Sequence, residues 1–431
     1  MPTTFTIQTS GCAANQADSE QMAGLLQKAG FQLVDNLEGA YIVIFNTCTV
    51  KSPSETAFFK QLEAFKQEYP HKLLIIAGCV PQADAQKLKD YSLVGTKQIH
   101  NIVQVVEEAL HDNVLQLLSN DELPPLDLPR VRKNPIVEIL PINRGCLGAC
   151  TFCKTKQARG NLVSYPVAEI VKVAQKAVRE GVKEIWLASQ DTFCYGFDLG
   201  TDLPALLDPL AALPGDFKIR IGMGNPDHLP KIGDRLIQLY KNPKIFKFLH
   251  LPLQAGSNAI LKQMRRRYTI NEFNDALNKF KTEIPRINIM TDIIVGYPPE
   301  TDDDFWQTLE CVRKNSFDSI NISRFWPRPG TTAAELEELP GELVKKRSRV
   351  LTDIFTNIST LQNEKWLGWE GEIIVDEKSK EDQQWIGRND SYKPVIVEGS
   401  FKLGDIVKVK IVKTSTFDLR GQVISEKVQV Y

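Results

Sequence analysis

The sequence has no long hydrophobic run and almost no net charge. Its longest apolar stretches, such as 41–45 and 73–77, are much shorter than the roughly 20 residues that cross a bilayer. Lysine and arginine number 52 against 53 aspartate and glutamate, so no global field attracts the chain to nucleic acid or to a membrane. We therefore predict no membrane segment, and any contact with RNA must use a local basic patch.

A secretion signal and a disulfide pattern are missing as well. The N-terminus, Met-Pro-Thr-Thr-Phe-Thr-Ile, has neither the basic head nor the apolar core of a signal peptide. We therefore expect a cytoplasmic protein whose eight cysteines are reduced. In a reducing compartment, clustered cysteines typically bind metals or take part in catalysis.

The bulk composition is that of an ordinary folded protein. Hydrophobic residues make up 42% of the chain and charged residues 24%, which excludes disordered, collagen-like and coiled-coil classes. A length of 431 residues is enough for about three domains, each with its own core.

The first part of the chain, 1–118, alternates short strand-like and helical patterns. This order predicts an α/β fold that begins with a doubly wound parallel sheet. A proline-bearing stretch, 119–135, then reads as a linker. The predicted strands are 4–9, 41–45 and 72–77, and the predicted helices are 19–29 and 55–67.

A longer alternation in 136–366 predicts a partial barrel of the (β/α)6 type. In such a barrel the chemistry gathers at the carboxyl ends of the strands. The predicted strands are 136–142, 184–188, 218–223, 246–251, 286–295 and 319–325.

The last part, 367–431, changes to short alternating strands separated by glycine and aspartate turns. This pattern predicts a small β-barrel. Its predicted strands are 372–375, 394–397, 406–411 and 421–423.

Three cysteines form a C-x3-C-x2-C pattern just after the first predicted barrel strand: Cys146, Cys150 and Cys153. Three thiolates on one loop can ligate three irons of a 4Fe–4S cluster and leave the fourth iron open. An open iron at a barrel mouth can chelate S-adenosylmethionine. The alternative is structural zinc, which normally takes four ligands, and the loop supplies no fourth cysteine or histidine.

Three further cysteines, Cys12, Cys48 and Cys79, each follow a predicted strand of the first domain. Because the carboxyl ends of parallel strands meet at one edge, we expect these thiols to converge there. They would form a second three-thiolate site. The alternative is that they are three buried small apolar residues.

The other cysteines and the histidines give no convincing ligand set. Cys194 and Cys311 have no partner at metal-ligand spacing and are interpreted as packing residues, although Cys194 follows the second barrel strand near the mouth. His250 lies in an apolar strand and is interpreted as a core histidine.

The segment from Asn143 to Gly160, Asn-Arg-Gly-Cys-Leu-Gly-Ala-Cys-Thr-Phe-Cys-Lys-Thr-Lys-Gln-Ala-Arg-Gly, resembles the cluster loop of radical S-adenosylmethionine methylthiotransferases. The resemblance extends over nearly the whole chain, including a terminal region similar to the RNA-binding TRAM domain. The motifs that carry it elsewhere are Ser-Gly-Cys at 10–12 with Asn15, Asn-Thr-Cys-Thr-Val at 46–50, Gly-Cys at 78–79, Leu-Pro-Leu-Gln-Ala-Gly-Ser at 251–257 and Asp-Ile-Ile-Val-Gly-Tyr-Pro at 292–298.

Within that family, the segments 153–160 and 387–394 are most similar to the archaeal and eukaryotic branch. The resemblance implies conversion of N6-threonylcarbamoyladenosine, next to the tRNA anticodon, to its 2-methylthio derivative. It also implies S-adenosylmethionine and two 4Fe–4S clusters as cofactors. Implied partners are the tRNA anticodon stem-loop and an electron donor of ferredoxin or flavodoxin type, and we expect a monomer.

The resemblance assigns cluster roles to the cysteines. Cys146, Cys150 and Cys153 would hold the cluster that cleaves S-adenosylmethionine. The cluster on Cys12, Cys48 and Cys79 would hold and donate the sulfur.

One departure from the wider pattern concerns the cofactor site. Many radical enzymes place Gly-Gly-Glu after the second strand, whereas this chain has Ala-Ser-Gln-Asp at 188–191. We therefore predict S-adenosylmethionine contacts from Ser189, Gln190, Asp191 and Gln254. Predicted contacts to RNA or substrate come from Arg144 and Arg159, whose guanidinium groups pair bidentately with carboxylates. Further predicted contacts come from Arg388 and Lys393, which lie in the basic run 388–413 of the terminal β-barrel.

Two alternatives stay open at this point. A methylthiotransferase of this type could act instead on isopentenyladenosine in tRNA or on an aspartate of a ribosomal protein. A protein of another class, a non-catalytic RNA-binding metal protein, would purify colourless and loaded with zinc.

Overall fold

The structure is a computed structural model that describes residues 2–49, 52–119 and 123–426. Its elements fall into three consecutive groups. The first is a parallel sheet with the strand order β2-β1-β3-β4-β5-β6. Its strands are β1 (Thr4–Thr9), β2 (Gln32–Leu33), β3 (Ile42–Thr47), β4 (Leu73–Gly78), β5 (Ser92–Gly95) and β6 (Gln116–Leu117), and its helices are α1 (Ala13–Lys28), α2 (Ser52–Glu68), α3 (Cys79–Asp84) and α4 (Ile102–Leu110).

Alternation along β3 explains why helices cover both faces of this sheet. Ile42 and Ile44 point into the core formed with α1 and α4, whereas Val43 and Phe45 point into the core formed with α2. All four side chains are buried, as expected for a strand with period 2 that is covered on both sides.

The second group is a curved array of six parallel strands with helices outside it. Two three-stranded sheets, β7-β10-β11 and β12-β13-β14, are joined where Phe246 N donates to Ile219 O at 3.0 Å. The strands are β7 (Val137–Pro141), β10 (Glu184–Ala188), β11 (Lys218–Ile221), β12 (Phe248–His250), β13 (Asn288–Val295) and β14 (Ser319–Arg324), with the small antiparallel pair β8 (Asn143–Arg144) and β9 (Val163–Ser164). The helices are α5 (Thr155–Arg159), α6 (Val167–Arg179), α7 (Leu203–Ala212), α8 (Leu229–Tyr240), α9 (Asn258–Gln263), α10 (Ile270–Glu283), α11 (Asp302–Asn315) and α12 (Gly341–Glu364).

The third group is a closed barrel with the strand order β15-β16-β17-β19-β18. Its interior is filled by β-branched and aliphatic side chains such as Val375, Val395 and Val409, each fully buried. Closure removes exposed strand edges from this small unit. The strands are β15 (Glu370–Lys378), β16 (Gln384–Arg388), β17 (Pro394–Glu398), β18 (Ile406–Thr414) and β19 (Leu419–Glu426).

An aromatic cluster fastens the closed barrel beneath the partial barrel. The Tyr392 ring, between β16 and β17, lies with its centroid 4.9 Å from that of Phe246, 5.4 Å from Phe248 and 6.4 Å from Trp186. The Arg220 guanidinium stands 5.1 Å from the Tyr392 centroid, within range of a cation–π interaction. The carboxyl ends of the strands, at the opposite end, are left for chemistry.

The described part of the predicted linker, 123–135, forms neither helix nor strand and packs closely on α1. Val131 N donates to Glu20 O at 2.9 Å. A Cβ at Gly24 would lie 2.4 Å from the Pro129 carbonyl, so only glycine allows the two backbones to come this close.

The predicted α/β class, with a doubly wound sheet, a partial barrel and a small β-barrel, is confirmed. All six predicted strands of the partial barrel occur. Among the described residues, the prediction missed the strands β2, β5, β6, β8, β9 and β16 and the helices α3 and α4, and α1 begins six residues before the predicted start at 19.

Candidate active site

Three thiols lie at the carboxyl edge of the N-terminal sheet; we call Cys12, Cys48 and Cys79 the N-terminal thiol group. Cys12 is the N-cap residue of α1, Cys48 follows β3, and Cys79 begins α3 directly after β4. In the sheet, β2 lies on one side of β1 and β3 lies on the other, so the strand order reverses at β1. Doubly wound sheets bind ligands at this switch point, so the sequence prediction that these thiols converge rests on a sound topological rule.

Asn15 is shared by two of these thiols. Its Oδ1 accepts from Cys12 Sγ at 3.6 Å and from Cys79 Sγ at 3.8 Å. Its Nδ2 donates to Thr47 O at 2.7 Å, which fixes the amide and ties it to the end of β3.

Gly11 leaves room for the third thiol. A Cβ at this position would lie 2.7 Å from Cys48 Cβ and 2.9 Å from Cys48 Sγ. The Gly11 backbone also has a φ of +119°, which residues with side chains rarely adopt. Only glycine therefore allows the turn before Cys12 to pass this close to Cys48.

Arg159, in α5, brings a positive charge to the N-terminal thiol group. Its Nη2 donates to Asn15 Oδ1 at 3.0 Å and its Nη1 to Asp18 Oδ2 at 2.9 Å. Burial raises the pKa of the Cys79 thiol, and the Arg159 charge opposes this rise. A cation beside buried thiols favours the thiolate form that iron requires, so this donor set fits a metal cluster.

The other three thiols lie together in the loop between β8 and α5; we call Cys146, Cys150 and Cys153 the loop thiol group. The Gly148 N–H donates to Cys146 Sγ at 3.1 Å. A Cβ at Gly148 would lie 3.3 Å from Cys146 Sγ and 3.7 Å from Cys150 Sγ, so both sulfurs border this glycine. Cys153 N donates to Cys150 O at 3.1 Å and closes the turn.

Arg266 is the cation of the loop thiol group. Its Nη1 donates to Cys150 Sγ at 3.4 Å, and its Nη2 donates to Asn225 Oδ1 at 2.7 Å. Burial raises the pKa of the Cys150 thiol, and the Arg266 charge opposes the rise. Each thiol group thus has one guanidinium beside it, and the loop thiol group also fits an iron–sulfur cluster.

A buried carboxylate joins the two thiol groups; we call the contacts of Asp18 with Arg144 and Arg159 the Asp18 bridge. Arg144 Nη2 donates to Asp18 Oδ1 at 2.8 Å, and Arg144 Nη1 donates to Thr96 O at 2.6 Å. The three charged residues of the bridge are at most 2% exposed. Two guanidiniums against one carboxylate leave an excess positive charge, which thiolates of the N-terminal thiol group would balance.

The four residues predicted to contact S-adenosylmethionine lie after strands of the partial barrel. Ser189 Oγ accepts from Asp191 N at 2.8 Å. Gln190 Oε1 accepts from Gly145 N at 2.8 Å and so holds the backbone next to the loop thiol group. Gln254 is half-buried and has a φ of +72°. Their contact with the cofactor stays a prediction.

The structure brings Asp191, Cys194 and His228 together beside the loop thiol group. Their potential ligand atoms all lie within 4.8 Å of one another, and His228 Nε2 is 3.1 Å from Asp191 Oδ2. A hydrogen bond between the Cys194 and Cys146 thiols lowers the pKa of Cys146 and raises that of Cys194. Cys194 is fully buried, which agrees with its interpretation as a packing residue near the barrel mouth.

Cys311 and His250 are packed in the partial barrel, as the sequence predicted, and His250 is also hydrogen-bonded to a carboxylate. Cys311 is buried in the main core of the partial barrel. His250 Nε2 lies 2.9 Å from Asp292 Oδ2, and Asp292 Oδ1 accepts from Asn321 Nδ2 at 2.8 Å. His250 is therefore a satisfied, half-buried histidine that belongs to a polar row across β12, β13 and β14.

Of the predicted RNA contacts, those of Arg144, Arg159 and Lys393 need correction. The first two belong to the buried Asp18 bridge. Arg388 Nε donates to Asp376 Oδ2 at 2.9 Å, and Lys393 Nζ donates to Asn363 Oδ1 at 2.8 Å with only 4% of the residue exposed. Arg144, Arg159 and Lys393 are thus buried and paired within the protein, so they are not displayed to RNA phosphates. Arg388 is paired but only half-buried, and its contact with RNA stays a prediction.

The sequence analysis named Asn15 only as part of a family motif, and it missed the roles of Asp18 and Arg266. Asn15 and Asp18 follow Cys12 by three and six residues on α1, and helical spacing would have suggested a shared side. Arg266 lies in a basic run that is indistinguishable in sequence from a solvated face. No local pattern points from it to Cys150, which is 116 residues away.

Three family models match the chain: the Radical SAM superfamily over residues 140–312, Uncharacterized protein family UPF0004 over 4–95, and the TRAM domain over 367–424. The fold resembles a radical S-adenosylmethionine methyltransferase, TsrM, from Kitasatospora setae with a TM-score of 0.56 at 12% identity, covering 77% of this chain and 74% of that one. The partial barrel and its three-cysteine loop define a radical S-adenosylmethionine enzyme, a class that uses S-adenosylmethionine and a 4Fe–4S cluster.

Curated relatives narrow this class. The chain is 41% identical to a probable threonylcarbamoyladenosine tRNA methylthiotransferase of Pyrococcus abyssi, covering 97% of this chain and 99% of the relative. It is 39% identical to the Danio rerio threonylcarbamoyladenosine tRNA methylthiotransferase, covering 97% and 78%. The chain belongs to this methylthiotransferase family and is a transferase. The alternative of a non-catalytic metal protein is therefore wrong.

Within the described ranges, no helix combines the length and the apolar character needed to cross a bilayer.

Proposed function

We propose that this protein converts N6-threonylcarbamoyladenosine, next to the anticodon of tRNA, to its 2-methylthio derivative. The observation that carries the proposal is the pair of three-thiol groups held together by the Asp18 bridge. The names of the relatives support the substrate. The isopentenyladenosine and ribosomal-protein alternatives have no comparable support.

Each thiol group is proposed to hold one 4Fe–4S cluster. The loop thiol group would leave one iron open to S-adenosylmethionine, and the N-terminal thiol group would leave one open to sulfur. When bound, the two clusters and S-adenosylmethionine supply one-electron chemistry. The adenine C2–H bond requires such chemistry because it is unactivated and an acid or base cannot break it.

The residues of the chain then have defined tasks. The Gly148 N–H and the guanidinium of Arg266 favour the thiolate forms of Cys146 and Cys150. Arg159 does the same for Cys79. The target adenine must leave its stack to reach the space between the groups, which costs little in an anticodon loop.

The finer assignments are also proposals. Ser189, Gln190, Asp191 and Gln254 would line the S-adenosylmethionine site, because they follow barrel strands near the loop thiol group. The functional units would be 1–118, a connecting segment 119–135, 136–366 and 367–431. We further propose a ferredoxin or flavodoxin type electron donor and a monomeric enzyme.

Nucleoside mass spectrometry of tRNA tests the function in a cell. The protein is expressed in a host whose tRNA contains threonylcarbamoyladenosine but not its 2-methylthio form. We expect the 2-methylthio nucleoside to accumulate with the unaltered chain and to be absent with Cys146→Ala. Iron content of the purified protein, measured in parallel, shows whether clusters were loaded. A loaded protein that leaves the nucleoside unchanged would overturn the proposed substrate.

A further inference from the structure

A second site lies in a cleft between α2 and the loop that follows β14; we call it the Trp326 cleft. It has a volume of about 710 Å³ and is lined in part by Phe59, Lys60, Lys87, Trp326 and Arg328. This volume is within the range of roughly 300–1,000 Å³ that is usual for ligand sites. None of the contacts described for the two thiol groups involves its lysines or its aromatic rings.

The cleft presents an aromatic surface to solvent. Trp326 is 48% exposed, so nearly half of the surface of this large side chain is open to solvent. Pro327 follows it and restricts the local backbone. On the opposite wall, the half-buried Phe59 ring packs with its centroid 5.1 Å from that of Phe58. A flat ligand could therefore stack on the exposed Trp326 ring, with the packed Phe59 ring also lining the cleft.

Cations surround this aromatic surface. Lys60 and Lys87 are exposed, and Lys87 Nζ stands 5.5 Å from the Phe59 ring centroid. Among the described lining residues, the cations are Lys60, Lys87 and Arg328, and the acid is Glu63, whose Oε1 lies 3.2 Å from Lys66 Nζ. The described lining of the cleft therefore carries more positive than negative groups.

The loop that carries Trp326 is hydrogen-bonded to chain segments that neighbour the two thiol groups in sequence. Arg328 Nη1 donates to Thr49 O at 2.7 Å, and Thr49 directly follows a cysteine of the N-terminal thiol group. Gln157 Nε2, on α5, donates to Gly330 O at 2.6 Å. The loop that carries Trp326 is therefore fastened beside the space where the substrate base would react.

We propose that the Trp326 cleft binds an unpaired nucleotide of the anticodon loop that adjoins the modified adenosine. The base would stack on Trp326, and its phosphate would lie near Lys60 and Lys87. Aromatic rings interleaved with cations are the usual platform for single-stranded RNA. The inference rests on the proposed function, because it assumes a tRNA loop as the substrate.

Binding of a synthetic anticodon stem-loop that carries threonylcarbamoyladenosine tests the proposal on the full, cluster-loaded chain. We expect Trp326→Ala to raise the dissociation constant about tenfold, the usual effect of losing one base-stacking ring. Trp326→Phe should recover most of the affinity, because phenylalanine keeps a ring. The matched control is Trp306→Ala, since Trp306 is 55% exposed on α11 and does not line the cleft.

A second measurement addresses the phosphate and does not depend on Trp326. Removing phosphate contacts reduces the slope of log affinity against log salt by about 0.7 for each contact in single strands. We expect the double variant Lys60→Ala and Lys87→Ala to reduce the magnitude of this slope by an amount that corresponds to the loss of roughly one or two phosphate contacts. Because both lysines are exposed, this variant should fold normally.

The outcomes separate this inference from the proposed function. If the unaltered chain modifies the RNA but Trp326→Ala and the double lysine variant bind like it, the Trp326 cleft is not an RNA site and the inference is overturned. If the unaltered chain neither binds nor modifies the RNA, the proposed function fails and the inference fails with it. Iron content and thermal unfolding of each variant identify a folding defect. If Trp326→Ala has such a defect, the affinities of Trp326→Phe and of the double lysine variant decide whether the cleft binds RNA.

Discussion

Asp18 is the side chain on which the geometry of both thiol groups depends. It lies on α1 and accepts from two arginines that the cluster loop region contributes. Buried charges are tolerated only when they are paired, so this carboxylate fixes how the first domain meets the partial barrel.

Asp18→Asn is expected to destabilise the protein strongly. The neutral amide leaves two buried guanidiniums without their counter-charge, and breaking a buried pair typically costs about 3–5 kcal/mol of the free energy of unfolding. Urea unfolding under anaerobic conditions measures the change. Glu63→Gln is the control, because its ion pair with Lys66 is exposed and should be worth less than about 1 kcal/mol. Equal costs for the two variants would contradict the role of the bridge.

Cys12→Ala should separate the two thiol groups functionally. The loop thiol group is untouched, so 5′-deoxyadenosine should still form from S-adenosylmethionine, while no methylthio nucleoside is made. Iron should fall from about eight to about four atoms per chain, the content of one cubane cluster. Cys311→Ala, in the core of the partial barrel, should keep both the iron and the product. Full methylthio product from Cys12→Ala would refute sulfur donation by the N-terminal thiol group.

The cysteines were predictable because each follows a strand, and strand ends of a parallel sheet converge whatever the tertiary detail. Their cations were not predictable. Arg159 and Asp18 are 141 residues apart, and Arg266 and Cys150 are 116 apart. Such pairs are set by how α5 and the first domain pack, which periodicity does not encode. For the same reason, arginines that looked available for RNA are buried.

At the scale of the elements, a titratable carboxyl group lies where β10 approaches the terminal barrel. Glu184, at the start of β10, accepts from Trp186 Nε1 at 2.7 Å. Burial, with a smaller contribution from the charge of Asp376 on β15, raises the pKa of Glu184 to about 7. The closed barrel is thus docked against a carboxyl group that is costly to ionise.

Stability should therefore fall as the pH rises from about 4.5 to about 7, the ordinary and the raised pKa of Glu184. In this window the folded chain keeps a proton that the unfolded chain has lost. The variant Glu184→Gln cannot ionise at this position, so its stability should not fall in this window. At pH 8 this corresponds to a gain of roughly 3 kcal/mol in the free energy of unfolding relative to the unaltered chain. Urea unfolding across pH measures it, with Glu398→Gln at the exposed end of β17 as control. An unchanged pH profile in Glu184→Gln would contradict the raised pKa.

Elements with strong periodicity were predictable, and short or irregular ones were not. The six barrel strands are continuous apolar or alternating runs, and β10 matches its prediction at both ends. By contrast, β2 and β6 have two residues each, too few for any pattern. The strand β16, Gln384–Arg388, pairs on both sides but carries no clear alternation. The helix α1 begins with Ala-Ala-Asn-Gln at 13–16, small and polar residues that do not show helical amphipathicity.

Across the molecule, the three groups of elements meet at one side of the partial barrel and leave its other end open. A shared apolar cluster contains Ala17 of α1, Ile139 of β7 and Ile374 of β15. The Asp18 bridge and the Tyr392 cluster reinforce this contact. The two thiol groups are consequently held by a continuous packed interior, which suits a reaction that must bring a sulfur and a base together in one orientation.

The most direct test of the central claim is anaerobic turnover of the reconstituted protein with S-adenosylmethionine, sulfide and reductant. Two RNA substrates are compared, one with threonylcarbamoyladenosine and one with isopentenyladenosine, and the nucleosides are read by mass spectrometry. We predict a 2-methylthio product from the threonylcarbamoyl substrate alone. Formation of 5′-deoxyadenosine with neither nucleoside changed would contradict the tRNA assignment.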